Sequence, residues 1–211
     1  APDLGVSRHD VGYFMAFVYV AAILSSSAGG LLAARYGAVR VSQVSLLCGG
    51  AAIATFGLGS VWLLVPAALL MGTGMGPPTP ASSQVLARVT PPRLASITFS
   101  VKQTGVPLGN MVAGLAIPAL VALGTWQGAA WVVGLCCLAL ALAVEPLRPL
   151  LDVEPAASAR GGLPAAMRDL FLPVRRVWNA ADLRRLALVS FVFTAMQVTF
   201  GAFLVVYLVQ H

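Results

Sequence analysis

Lys102 is the only lysine in the chain, and it lies in the apolar stretch SVKQTGVPLGNMVAGL at residues 100–115. An ammonium group in such a stretch is costly, and ionisable groups in membrane spans usually mark a substrate or ion pathway. The alternative is that the lysine stem follows apolar surface and its charge reaches the membrane edge, about 10 Å away at the helical rise from Ala95. The residue predicts a cationic position in a cavity, with a surface-reaching lysine as the other interpretation.

The neighbours of Lys102 favour a cavity. Gln103 and Asn110 are seven residues apart and therefore share one helix face. Small residues that let another helix approach recur every fourth position: Gly105, Gly109 and Ala113. A span with a polar face and a packing face is typical of a helix that lines a pathway. We assign Lys102, Gln103, Asn110 and, from the preceding span, Gln84 to one substrate cavity.

Composition identifies the class of protein that positions these residues. The 211 residues are 59% hydrophobic and only 9% charged, with a mean hydropathy of +0.89. Soluble domains carry about 25% charged residues, so this sequence predicts an integral membrane protein. The net charge of +6 does not indicate nucleic-acid binding, because the basic residues cluster between apolar runs and form no stripe with aromatic residues.

Six apolar runs are long enough to cross a bilayer as helices, which takes about 20 residues. They are Val11–Ala34, Val41–Ser60, Trp62–Ala87, Ala95–Leu120, Trp126–Val144 and Leu186–Val209. The runs do not alternate polar and apolar residues, so transmembrane strands are excluded. The predicted fold class is an all-α polytopic membrane protein. If successive loops alternate between the two sides of the membrane, 11 of the 13 basic residues lie on the same side. The positive-inside rule predicts that this side is cytoplasmic.

The stretch GTGMGPPTPASSQ, residues 72–84, interrupts the third run. Gly76, Pro77, Pro78 and Pro80 cannot all continue a regular helix, because each interior proline loses a backbone hydrogen bond and clashes with the preceding turn. Gly76 lies 12 residues before Arg88, about 18 Å at the helical rise, which is near mid-membrane. A helix break at that depth indicates either a lined cavity or close helix packing, and the sequence leaves both open.

The segment GGLLAARYGAVR, residues 29–40, occupies the short loop after the first run. It resembles the cytoplasmic loop motif of the major facilitator superfamily, G-x-L-A-D-R-x-G-x-R, in which Gly30, Arg35 and Gly37 match and Arg40 lies one position beyond the final arginine. Ala34 replaces the acidic residue. The resemblance implies a gating loop, and the alternative is simple anchoring of the arginines at the lipid headgroups.

This resemblance also implies a domain organisation. In the superfamily the motif joins the second and third of twelve spans, so we expect a fragment that covers spans two to seven. Residues 1–144 are then an N-terminal bundle without its first span, 145–185 a cytoplasmic linker, and 186–211 the first helix of a C-terminal bundle. The implied full-length protein is monomeric and lies in the bacterial inner membrane, with the linker and the gating loop in the cytoplasm.

The predicted function is secondary active transport by alternating access. All seven acidic residues lie outside the predicted spans, so a lone cation favours a small anionic or carboxylate-bearing solute, with a coupled proton or ion as a second partner. A drug or multi-substrate efflux antiporter is the alternative, and a non-transporting scaffold or receptor is the remote one. We expect no enzyme, because both histidines are terminal and no protease motif occurs in a span. We likewise expect no cofactor and no metal site, because Cys48, Cys136 and Cys137 have no partner motif.

Overall fold

The computed structural model describes residues 8–152 and 172–210, and all regular secondary structure in these ranges is helical. The all-α prediction is confirmed for this part of the chain. The chain divides into two compact units, residues 1–162 and 163–211.

The first unit contains seven α-helices among its described residues, and the second contains two. In chain order they are α1 (Arg8–Tyr36), α2 (Ala38–Phe56), α3 (Leu64–Met75), α4 (Pro78–Val89), α5 (Ala95–Leu123), α6 (Trp126–Ala143), α7 (Arg148–Leu151), α8 (Leu172–Asn179) and α9 (Ala181–Gln210). Short 3-10 turns precede α3, α5 and α7. The loops of the first unit are therefore brief, as expected for neighbouring antiparallel helices.

Five segments of the described chain are long and apolar enough to cross a membrane. They are Gly12–Tyr36, Ala38–Phe56, Val61–Val89, Pro92–Leu123 and Trp126–Leu151. Each corresponds to one of the first five predicted spans. The sixth prediction, Leu186–Val209, falls within α9, where several side chains lie outside the described ones.

The third span is two helices in line, because α3 ends at Met75 and α4 begins at Pro78. Pro77 and Pro78 have no N–H to continue the ladder of α3. Pro80 is accommodated in the first turn of α4, where N–H groups have no helical acceptor. The amide of Gly76 closes α3 on the carbonyl of Gly72, with an N–O distance of 3.2 Å.

Small residues hold α1, α2, α3 and α4 together at close range. The fully buried alanines Ala52, Ala67, Ala68 and Ala81 are 0% exposed. At the break, a Cβ added to Gly76 would lie 2.6 Å from the backbone nitrogen of Ser26 in α1. At Gly76 the break packs closely against α1, while the adjacent Pro77 lines a cavity, so both interpretations of the break stay open.

Helix α5 is packed more loosely than the other long helices of the first unit, each of which has at least one buried residue. None of its residues is buried, and the predicted packing row is not used among the described residues, because Gly105 and Gly109 have no atom within 4 Å of an added Cβ. That another helix can approach along this row therefore stays a prediction. Regularly spaced small residues allow a second helix to approach closely, but a contact forms only where such a helix lies opposite them.

Candidate functional site

The ammonium group of Lys102 reaches α4 directly after the helix break. Its Nζ donates to the carbonyl oxygen of Thr79 at 3.1 Å and to the hydroxyl of Ser83 at 2.7 Å. These acceptors lie about 14 Å and about 8 Å before Arg88 along the helix axis. The ammonium group therefore lies beside α4, within the length of that helix, and not at its Arg88 end.

Two of the three ammonium protons of Lys102 are used in this way. The third remains for another acceptor, and the side chain is partly exposed. The carbonyl oxygen of Thr79 also accepts a hydrogen bond of 2.8 Å from the Ser83 hydroxyl, so the two partners of Lys102 are themselves joined. The geometry thus gives Lys102 a fixed position and a spare donor.

The other three predicted cavity residues do not converge on Lys102. Gln84 turns towards α1, where its Nε2 donates to the carbonyl of Gly30 at 3.0 Å. Gln103 borders an open groove along α5 with Ser96, Ser100 and Thr104. Asn110 is exposed further along the same helix. The structure therefore presents one cation with α4 partners and a separate polar groove.

The predicted gating loop is a single-residue turn between α1 and α2. Tyr36 ends α1, Ala38 begins α2, and Gly37 between them has φ +93°. Only glycine adopts this backbone conformation without strain. The Gly37 amide donates to the carbonyl of Ala33 at 3.0 Å, so the turn is closed tightly onto the end of α1.

The motif residues Gly30 and Arg35 contribute contacts on α1. A Cβ at Gly30 would lie 2.8 Å from Nε2 of Gln84, so a larger residue here would push the end of that side chain aside. The guanidinium of Arg35 stacks over the ring of Tyr36, with 5.4 Å between Cζ and the ring centroid. Its Nη1 is enclosed and has no acceptor among the described residues. The first arginine of the motif is thus held by an aromatic ring, with hydrogen-bonding capacity left over.

The second motif arginine, Arg40, faces the segment that follows α6. Its Nη2 lies 3.5 Å from Oε1 of Glu145, and Nη1 of Arg148 lies 3.5 Å from the same oxygen. Nε2 of Gln43 donates to Oε2 of Glu145 at 2.7 Å and to the carbonyl of Ala141 at 2.9 Å. A carboxylate with three nitrogen partners joins the start of α2 to the end of α6.

Asp152, the residue after α7, also contacts the beginning of α2. Its Oδ1 accepts a hydrogen bond of 2.8 Å from the backbone N–H of Val39, and its Oδ2 lies 3.8 Å from Nε of Arg148. We call Arg40, Gln43, Glu145, Arg148 and Asp152 the loop–linker network. It ties the turn at Gly37 to the residues with which the predicted linker begins.

A cavity of about 600 Å³ lies between α1, α2 and α3. Its walls are largely apolar and include Leu32, Val41 and Val44, while Arg40 and Arg148 border it. Lys102 is not among its lining residues. In the described ranges, no group of three or more His, Cys, Asp or Glu residues could hold a metal ion.

Sequence reasoning did not single out Thr79, Ser83, Glu145 or Asp152. Ser83 and Thr79 carried a signal, because both belong to the polar end of the interrupted segment, and a lysine in the next span needs acceptors. Asp152 carried none, because 113 residues separate it from its partner Val39. Contacts over such separations depend on helix packing that no local pattern encodes.

Comparison with known proteins gives one match. A family model described as Major Facilitator Superfamily matches residues 1–211. No curated protein and no solved structure matches the chain.

Proposed function

This chain belongs to the Major Facilitator Superfamily, and on that premise we propose that it is part of a secondary active transporter for a small anionic or carboxylate-bearing solute. Transport proceeds by alternating access across the bacterial inner membrane, with the turn at Gly37 and the loop–linker network on the cytoplasmic side. The full-length protein acts as a monomer and couples transport to a proton or another ion.

One observation carries the choice of an anion. Lys102 is the only charged residue between Arg93 and Glu145, and its partly exposed ammonium donates to Thr79 and Ser83. Both of these partners are neutral, so neither offsets the positive charge. A solute carboxylate would form a charge-assisted hydrogen bond with the ammonium, which is about twice as strong as one between neutral groups.

Gln103 and Asn110 lie on the same helix and extend the polar surface away from Lys102. Gln103 borders the open groove of α5, and Asn110 lies about 10 Å further along the axis. We assign these two residues to the path that the solute follows and Lys102 to its charged end. Gln84 is assigned to packing of α4 on α1, because its side-chain nitrogen already donates to Gly30.

The test is uptake by the full-length protein in membrane vesicles. A panel of radiolabelled monocarboxylates, dicarboxylates and inorganic anions is offered to wild type, Lys102→Gln, Lys102→Arg and Arg93→Gln. Arg93→Gln is the matched control, because it removes an exposed cation outside the helix pair. We expect Lys102→Gln to abolish saturable anion uptake, Lys102→Arg to retain part of it, and Arg93→Gln to retain nearly all of it.

A second measurement reports occupancy. A Lys102→Cys variant in a background without other cysteines should react with a water-soluble thiol reagent, and the transported anion should slow that reaction. Near-normal uptake by Lys102→Gln would refute the anion site and leave the family membership intact.

The cavity of about 600 Å³ favours the runner-up function, a drug or multi-substrate efflux antiporter. Such cavities have the size and apolar lining of sites for drug-sized ligands. Ethidium is the probe for this alternative. Energy-dependent ethidium export that is insensitive to Lys102→Gln, together with no anion uptake by wild type, would replace the anion proposal with this one.

A further inference from the structure

The N-terminus of α2 receives its cap from a distant residue. Gly37 precedes the helix and has no side chain to accept a hydrogen bond, and the first turn contains no acidic residue. The four leading N–H groups of a helix need partners, and they favour a negative charge. Asp152 brings a negative charge to this end and accepts from one of these groups, the Val39 N–H, at 2.8 Å.

The Asp152 carboxylate is well enclosed. Its side chain is 11% exposed, whereas those of Arg40 and Glu145 are 45% and 47% exposed. Ion pairs between exposed groups contribute little, and a hydrogen bond from an enclosed amide to a carboxylate contributes much more. Within the loop–linker network, the contact of Asp152 with the turn is therefore the strong one.

The turn is shaped around this carboxylate. Gly37 lies directly under it, since an added Cβ would overlap the carboxyl atoms of Asp152. The loop motif has its acidic residue at the position of Ala34, and here Ala34 and Leu151 line one small cavity together with Gly37 and Arg88. The carboxylate of Asp152, which follows α7, thus lies at the turn, close to Ala34, where the motif has its acidic residue.

We propose that Asp152 is a positioning residue of the gating turn. It supplies the carboxylate that the motif lacks at Ala34, and it makes closure of the turn depend on docking of residues 145–152. The turn loosens when that segment lifts away from α2, so the beginning of the linker controls the stiffness of the gate. The importance of this device for transport rests on the proposed function, whereas the contact itself does not.

The experiment measures opening of the turn without any substrate. Val39→Cys, whose native side chain is 5% exposed, is introduced into the full-length protein with the native cysteines replaced by alanine. N-ethylmaleimide is the probe, because it crosses membranes and reaches the thiol only when the turn opens. The labelling rate follows the open population when opening and closing are fast.

We expect Asp152→Ala to raise the labelling rate of the thiol at position 39 about tenfold. Addition of Ala34→Asp should return the rate to within about twofold of the starting protein, because the carboxylate is then supplied from the motif position. Asp182→Asn is the matched control, since that side chain is 97% exposed and lies in the second unit. It should leave the rate unchanged.

If Asp152→Ala does not accumulate in the membrane, Asp152→Asn provides the same test, because it keeps the size and an acceptor oxygen while losing the charge. We expect it to raise the rate about threefold. An unchanged rate in the Asp152 variants, or a rise that Ala34→Asp does not reduce, would overturn the proposal. Such a result would leave anion uptake and its dependence on Lys102 untouched, so the two proposals fail separately.

Discussion

Replacement of Gly37 by alanine should open the turn between α1 and α2, and the size of the effect can be worked out from two contributions. The first is conformational. At φ +93° an L-residue is strained by about 1–2 kcal/mol. The second is steric, because the new Cβ would overlap the carboxylate of Asp152.

Relief of that overlap requires Asp152 to move away from the Val39 N–H. A hydrogen bond to a charged group contributes about 1.5–3 kcal/mol, so Gly37→Ala should cost the closed turn about 2.5–5 kcal/mol in all. When Asp152 is already replaced by alanine, only the conformational contribution remains, about 1–2 kcal/mol. The two substitutions are therefore expected to be strongly non-additive.

The assay is a double-mutant cycle on the rate at which N-ethylmaleimide labels the Val39→Cys thiol, in membranes that contain the full-length protein. Gly59→Ala is the control, because Gly59 also has a positive φ of +66° but no atom lies within 4 Å of its added Cβ. It should leave labelling at position 39 unchanged. Equal effects of Gly37→Ala with and without Asp152 would refute the reasoning, because the carboxylate would then not be what the glycine accommodates.

Three further predictions concern packing, capping and topology. A Cβ at Gly74 would lie 2.6 Å from a backbone oxygen of α2, whereas no atom lies within 4 Å of a Cβ added to Gly49. Gly74→Ala should therefore lower the midpoint of thermal unfolding by several degrees, and Gly49→Ala should raise it slightly. The reverse order of midpoints would contradict the packing described. The Thr125 hydroxyl accepts a hydrogen bond of 3.1 Å from an amide in the first turn of α6, so Thr125→Val should cost about 1 kcal/mol of unfolding free energy and Thr125→Ser much less, as measured by denaturant unfolding in detergent. A thiol introduced by Arg93→Cys should react with an impermeant maleimide only from the cytoplasmic side and one introduced by Ser60→Cys only from the opposite side; reaction of both from one side would rule out the predicted topology.

Much of the fold follows from local patterns. The sequence predicts the ends of the first five spans to within a few residues, because long apolar runs and proline or glycine punctuation are local signals. The interruption at Gly76 and Pro77 is predictable for the same reason. The chemistry of a missing N–H group does not depend on which helix lies opposite.

The candidate site is less accessible from sequence. Lys102 is identified by its type alone, but its partners Thr79 and Ser83 depend on how α4 lies against α5. Gln84 shows the limit most clearly, because its polarity indicates a cavity, and its side chain instead bonds to the backbone of α1. Helical periodicity reports which residues share a face, and it does not report which helix that face meets.

The interior of the first unit also affects which substitutions the protein can accept over time. No large side chain is fully buried among the described residues, and the closest helix contacts pass through alanine and glycine. Because these side chains are already small, replacing one by a smaller side chain leaves almost no void, whereas a larger side chain must displace the backbone of a neighbouring helix. Substitutions to larger residues are therefore restricted at these positions, and substitutions to smaller ones are not. The exposed leucines and valines, by contrast, can exchange among apolar types at little cost, so descendants of this sequence should diverge fastest at their largest residues and retain their smallest.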